Sequence, residues 1–355
     1  MFSVLRIRII AAMFLVASVS MLGEPLRSPW DQQHVHVKNG NYSCPQLDPL
    51  PKDIVAFDYY SDAKHSKIDA VRYAAYQAAG ETYHETMADA VQAAEKFRSS
   101  GNRGAAECVL QILKTEAGAQ SMTGTMASNQ SDYMQGWAIG GLAVSWLKVR
   151  EAEPGSPEDR EKVIEWFSQV AQATQKYFTA RHQKNNVDGT NNHYYWAGFA
   201  VMSVGIAADN RTMFDWGVHT YTEALSRIQP DGSLPLEMDR GQRALHYHAF
   251  ALMPLTSIAE MGVANHLDMY NTSNGALHRL VKLTASGMID NHYFAKQAGA
   301  LQDTPEKGGL KSGDVLWMVP YLRHYPDANM SRLLHSVSLK PDNYLGGYPP
   351  GYDLK

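Results

Sequence analysis

The chain has 355 residues, of which 45% are hydrophobic and 19% charged, with only 2 cysteines, 16 prolines and 27 glycines. That composition excludes disulfide-dense, collagen-like and generally disordered designs and leaves room for a core of ordinary size. Lysine and arginine number 32 against 36 aspartates and glutamates, a formal net charge of −4; with no basic stripe or nucleic-acid motif, nucleic acid is excluded as a partner and any bound anion must be held by a local basic site.

Residues 1–23 read as a signal peptide: Arg6 and Arg8 precede an apolar run from Ile9 to Val19, and small residues near Ser20 to Gly23 suit cleavage. The run is shorter than the ~20 residues that span a bilayer. The expectation is therefore an exported, periplasmic chain with no membrane span after cleavage. In such a compartment Cys44 and Cys108 are expected to pair, tying an irregular N-terminal arm to a helix.

The body, 24–355, reads as one all-α domain. Ser156-Pro157-Glu158-Asp159 is a helix start, and Val163, Trp166, Phe167, Val170 and Ala173 follow at helical spacing to about Phe178. Comparable stretches are Ile68–Arg98, Ala105–Glu116, Ser131–Glu153, Tyr194–Ala208, Thr212–Ile228, Gly241–Met261, Leu277–Ile289 and Gly313–His324. Turn chemistry between them (Pro154-Gly155, Asp188-Gly189, Asp231-Gly232, Asn274-Gly275) predicts helical hairpins around a central cleft, expected as a monomer, with an irregular tail from Tyr344 to Lys355.

Three constellations could carry chemistry. Asn191 and Asn192 precede an apolar helical run, at a helix start whose backbone donors and positive dipole end favour an anion; His193 would project from the first turn. Arg240, Arg243 and Tyr247, if helical, share a face, with Arg240 and Tyr247 roughly 10 Å apart along the axis. Tyr133 and Trp137, four apart, could stack on sugar rings, and Gly140-Gly141 one turn on implies a close approach. Taken singly, each also fits capping, surface pairing or core packing. The pairs His34-Val35-His36 and His246-Tyr247-His248 are spaced so that the two rings diverge on a helix; with no HExxH, neither a metal nor a cofactor is expected.

Together, Asn192-His193 with Tyr195-Trp196, and Arg240 with His246-Tyr247, resemble the alginate lyases of polysaccharide lyase family 5. The likeness extends to Tyr133 and Trp137, the pair Cys44 and Cys108, Gln302-Asp303-Thr304, Gly313-Asp314 with Trp317, and Leu345-Gly346-Gly347, spanning roughly Cys44 to Gly347. It implies an incomplete (α/α) toroid that cleaves an anionic polysaccharide, a polyuronate, by β-elimination. Asn192, His193 and Arg240 would neutralise the uronate carboxylate, and Tyr247 would carry the C5 proton to O4. A phenol with its ordinary pKa near ~10 needs nearby cations for this, and Arg240, Arg243 and His246 are placed to supply them.

In mannuronate the C5 hydrogen and O4 lie on one side, so a single phenol suffices. In guluronate they are on opposite faces, and His193 would have to serve as a second base. The resemblance favours the mannuronate case, and polyglucuronate, with the same C4 and C5 configurations, is a secondary candidate. Further substrate contacts are expected from His246, Tyr133, Trp137, Trp196 and Arg243, and from a lid near 58–67 carrying Tyr59, Tyr60, Lys64 and Lys67. Where such lyases commonly have an arginine before the late x-Gly-Gly, this chain has Tyr344, which is expected to cost a remote subsite its cation. Two other functions are weighed: a glycoside hydrolase using carboxylates among Asp231, Glu237 and Asp239, and a non-catalytic periplasmic glycan-binding or export scaffold.

Overall fold

The computed structural model describes residues 24–306 and 308–352, so the expected signal peptide lies outside the described residues. The helices are α1 (Ala70–Ser100), α2 (Arg103–Ala119), α3 (Asn129–Val149), α4 (Pro157–Gln183), α5 (Asn192–Ala207), α6 (Arg211–Arg227), α7 (Pro235–Met238), α8 (Ala244–Ala264), α9 (Thr272–Ile289), α10 (His292–Ala298), α11 (Ser312–Val315), α12 (Met318–His324) and α13 (Ala328–His335). Their ends follow side-chain chemistry. Asp69 accepts from the backbone N–H groups of Val71 and Arg72 to start α1, left-handed Gly101 ends it, and Ser156 with Asp159 forms a capping box on α4.

Helix α3 packs on α1 and α5, and α5 on α8, while α2, α4, α6 and α9 pack outside them. The partition follows composition. Nearly every residue of α3, α5 and α8 is buried, as an inner helix requires, whereas α2, α4, α6 and α9 bury one face. The result is an incomplete α/α toroid, with the lid and the C-terminal tail lying over the inner helices. Two apolar cores form, and α3 and α5 contribute side chains to both. The Cys44–Cys108 disulfide joins the N-terminal arm to α2. Among the described residues no helix is long and apolar enough to cross a membrane.

The structure departs from expectation at three places. The stretch 241–261 does not begin as a regular helix: Arg240 sits in a turn, Gly241 has φ 56°, and residues 241–243 form a single 3-10 turn before α8. Arg240 and Tyr247 therefore do not share a regular helix face. Stretch 313–324 is two short helices broken at Leu316-Trp317, and α7, α10 and α13 are too short for periodicity to reveal. In α9, Ser273, Asn274 and Gly275 are left-handed, so regular helix begins near the expected Leu277.

The Gly140-Gly141 pair is explained by protein, not by sugar. A Cβ on Gly140 would meet Ala200 of α5 at 3.2 Å, and one on Gly141 would lie 2.1 Å from the Asn343 carbonyl oxygen of the tail. The buried Lys148 two turns further on completes this docking: its ammonium pairs with Glu95 and donates to the carbonyls of Gly346 (2.8 Å) and Tyr348 (2.9 Å). Gly141→Ala is expected to lower stability by about 1–3 kcal/mol, because the methyl must displace backbone rather than a flexible side-chain end; a urea melt with unchanged slope and a lower midpoint would show it.

Candidate active site

A cleft of about 1830 Å³ opens where α1, α3, α5 and α8 meet the lid. Helix α1 lays one side along it: Arg72, Tyr73, Tyr76, Gln77, Glu81, His84 and Glu85 all line the cleft. At 1.5 Å per residue that wall is roughly 20 Å long. It runs from a cation beside the lid to two carboxylates at the other end.

Tyr247 projects from the first turns of α8 into this cleft, with Arg240 laid on its ring, the guanidinium carbon 3.5 Å from the ring centroid. The turn before α8 makes this possible. It is held by Gln302, whose amide donates to the Gly241 carbonyl (3.0 Å) and accepts from the N–H of Leu245 (2.9 Å). Asp303 adds an ion pair with Arg243 (3.7 Å). The Gln302-Asp303 segment noted in the sequence thus acts as a brace for the two arginines.

The lid closes onto the same centre. Tyr60 hydrogen-bonds through its hydroxyl to the Tyr247 hydroxyl and accepts from Arg243 Nη1 (3.1 Å), which joins Arg243 to Tyr247 through one oxygen. Arg240 donates from Nε and Nη2 to the His65 carbonyl (3.3 and 3.0 Å), and Gln242 donates to that of Ser66 (3.1 Å). Burial together with the neighbouring Tyr247 pushes the Tyr60 hydroxyl far above its ordinary range, which keeps it a neutral donor.

His193 lies across α5 from this group with its ring stacked on Tyr133 (centroids 3.8 Å, 20°). Burial first, then Arg240, drives its imidazole down to about 3, so the ring is neutral at ordinary pH. His246 also lines the cleft and is driven to about 3 by burial, Arg243 and Arg240. It therefore supplies a neutral ring, not the cation expected of it. His248 points elsewhere: its Nδ1 faces the Ala244 carbonyl (2.7 Å) and its Nε2 accepts from the N–H of Leu234 (3.0 Å).

Several residues named from sequence take other places. Asn192 is 0% exposed, and its Nδ2 donates to both carboxylate oxygens of Glu237 (3.0 and 2.9 Å), as does its backbone N–H (2.8 Å) to one of them. The anion at the start of α5 is thus the protein's own Glu237, and the asparagine that lines the cleft is Asn191, which caps the helix through the N–H of His193. Trp196 is core, packed against Phe199 and Phe250. Tyr133 lines the cleft, but one face of its ring is taken by His193 at 3.8 Å, with Phe178 6.1 Å away. Lys67 is an exposed lid residue whose backbone N–H is taken by Asp62, and Arg243 stands behind Tyr60. Tyr59, Tyr60, Lys64, Tyr133, Trp137, His193, Arg240, His246 and Tyr247 do line the cleft.

Tyr344 is not remote. It lines the cleft, stacked on Trp137 (5.1 Å, 22°) and beside His84 (5.6 Å), and is delivered there by the docked tail. Sequence reasoning placed Asn191 at the helix start without assigning it a role, and did not name Arg72, Tyr76, His84, Arg181 or Asp188 as site residues, although all line the cleft. The signal for the α1 residues was the recurrence of aromatic and polar groups at 73, 76, 77 and 84 on one helix face. The carboxylates considered for hydrolysis do not form an opposed pair: Glu237 is buried on Asn192, Asp231 is bound by Ser233 and Tyr293, and of the three only Asp239 lines the cleft.

Known proteins were compared with this chain. The family model described as alginate lyase matches residues 53–294. A polysaccharide lyase of Stenotrophomonas maltophilia (strain K279a) is 32% identical over 308 residues, covering 86% of this chain and 89% of that protein. An alginate lyase of Pseudomonas syringae pv. syringae (strain B728a) is 30% identical, covering 81% and 77%. Among solved structures, alginate lyase A1-III from Sphingomonas species A1 superposes with a TM-score of 0.73 at 23% identity over 93% of this chain and 98% of that one. A variant of A1-III complexed with tetrasaccharide gives 0.76 at 22% identity, over 94% and 98%. These two share the toroid fold, and the family match together with the sequence relatives establishes that the chain belongs to the alginate lyase family.

Proposed function

We propose that this lyase depolymerises alginate by β-elimination within polymannuronate, acting as a periplasmic monomer. The observation that carries the reading is the Tyr247 hydroxyl in the cleft, with Arg240 flat on its ring and Arg243 reaching it through Tyr60. Binding alone needs no proton carrier set among cations, which favours the enzyme over a scaffold.

In the reaction Tyr247, acting as phenolate, takes the C5 proton, the C4–O4 bond breaks as the C4=C5 double bond forms, and the departing O4 receives that proton from the resulting phenol. Negative charge builds on the carboxylate as C5 is deprotonated. Arg240 Nη1, not used by the lid carbonyl, and the Asn191 amide on the cleft wall are the donors that meet it. His193 supplies a neutral N–H and not a charge. Removal and return of the proton on one face match mannuronate. Polyglucuronate shares the C4 and C5 geometry, which makes it the secondary substrate.

Tyr247→Phe is expected to lower kcat by roughly 10²–10⁴-fold while leaving polymer binding near the parent value. The measurement is ultraviolet absorbance of the unsaturated uronate product, taken on polymannuronate, polyguluronate and polyglucuronate. Substantial residual turnover would move the proton work to His193, and no absorbance rise with any polymer, beside measurable binding, would favour the scaffold.

The pH dependence has a definite sign. His193, with a folded value of about 3 against ~6.5 unfolded, stays neutral from roughly pH 5 upward, so its protonation gives kcat/KM no inflection near pH 6.5. The stability gained by keeping it neutral is full above ~6.5 and is lost as pH falls toward 3, and His246 (about 3) and His248 (about 4) act in the same direction. Thermal melts should therefore shift downward steadily below about pH 6.5, and histidine NMR should show these three rings unprotonated at pH 5.

A further inference from the structure

His193 has no hydrogen bond from its ring to the protein among the described residues, and its Nδ1 is buried without a partner. The edge it presents to the cleft is therefore the Nε2 edge, and its direction is set by stacking on Tyr133 at 3.8 Å. The Tyr133 ring is in turn fixed at its far end, where its hydroxyl donates to Asp188 Oδ2 (3.0 Å). Asp188 is only 5% exposed. It also accepts from the Tyr177 hydroxyl (3.1 Å) and from Arg181 Nε (2.8 and 2.9 Å), with Arg181 Nη2 at 2.7 Å.

Tyr177 and Arg181 are one turn apart on α4, Tyr133 is on α3, and Asp188 lies in the short turn that leads into α5. One carboxylate thus ties three elements together directly beneath His193.

We propose that Asp188 is a positioning residue for the elimination: held by Arg181 and Tyr177, it pins the Tyr133 hydroxyl, and Tyr133, as a clamp and not a sugar platform, holds the His193 imidazole with Nε2 toward substrate. The role assigned to Tyr133 follows from the ring face that His193 covers at 3.8 Å, where a pyranose cannot stack. The inference rests on the reading of His193 as part of the reacting centre. It deepens that reading by naming what keeps the ring in place.

Two substitutions test it. Tyr133→Phe keeps the ring and leaves the Asp188–Arg181 pair intact while removing the bond to Asp188, and Asp188→Asn removes the charge that holds the cluster. Each is expected to lower kcat on polymannuronate by roughly 10- to 100-fold with KM changed less than about twofold, the pattern of a misplaced group rather than lost binding. In histidine-labelled protein the His193 ring resonance, assigned by its disappearance in His193→Gln, should start displaced by the Tyr133 ring current and move toward the position of an exposed histidine in both variants.

A folded Tyr133→Phe protein, judged by near-ultraviolet circular dichroism, with parent kcat and an unmoved His193 resonance would overturn the proposal. So would a loss confined to KM, which would return Tyr133 to the substrate. If Asp188→Asn does not fold, Tyr133→Phe decides alone. The resonance measurement needs no turnover, so a chain that cleaves no polyuronate would sink the functional reading while the clamp is still tested.

Discussion

The site depends on keeping positive charge against a phenol without spending it on a carboxylate of the protein. Arg240 meets this condition because its guanidinium lies on the face of Tyr247 at 3.5 Å and its hydrogen bonds go to a lid carbonyl, an acceptor with no net charge. Arg243 does have a carboxylate, Asp303, but at 3.7 Å, and its Nη1 remains on the Tyr60 hydroxyl. The buried carboxylate nearest in sequence, Glu237, accepts three hydrogen bonds from the backbone N–H and Nδ2 of Asn192. On the proposed mechanism, charge that forms on the Tyr247 oxygen meets Arg240 directly and Arg243 through Tyr60, in a cleft walled by aromatic rings.

The toroid supplies the geometry this needs. Inner helices buried on all sides cannot move much, so the ends they present to the cleft are rigid platforms. Polar side chains at those ends then have to be satisfied locally, and two buried carboxylates do most of this. Glu237 takes the start of α5 and Asp188 takes Tyr133, Tyr177 and Arg181. Helix starts, turns and active-site side chains are consequently held by the same few hydrogen bonds, and removing one partner leaves a buried charge or donor unpaired.

The helices of the toroid were readable because their apolar positions recur and their caps are strong: Ser156-Pro157 with Asp159 marks α4 from sequence alone. The family resemblance was readable from a set of residues, since Asn-His-x-Tyr-Trp and Arg-x6-Tyr were specific only together. What periodicity could not give was the direction of each side chain. Arg240 was assigned to a helix face, but left-handed Gly241 interrupts the helix, and stacking across a turn replaces the expected alignment. Asn191 and Asn192 exchanged places because only the fold shows which of two adjacent amides meets Glu237. Tyr344 appeared remote because it is 97 residues beyond Tyr247 in the chain, and a glycine on α3 with a buried lysine two turns on, neither of which carries chemistry, brings it beside Trp137.

The lid and the proposed reaction draw on the same two side chains. Arg240 offers Nε and Nη2 to the His65 carbonyl along one edge of its guanidinium, which leaves Nη1 as the donor that the proposed mechanism gives to the uronate carboxylate. The Tyr60 hydroxyl likewise occupies the Tyr247 oxygen, the atom to which the proposed mechanism assigns the proton transfer. On that mechanism a uronate at the Tyr247 oxygen displaces the Tyr60 contact, while the His65 carbonyl can stay on Arg240.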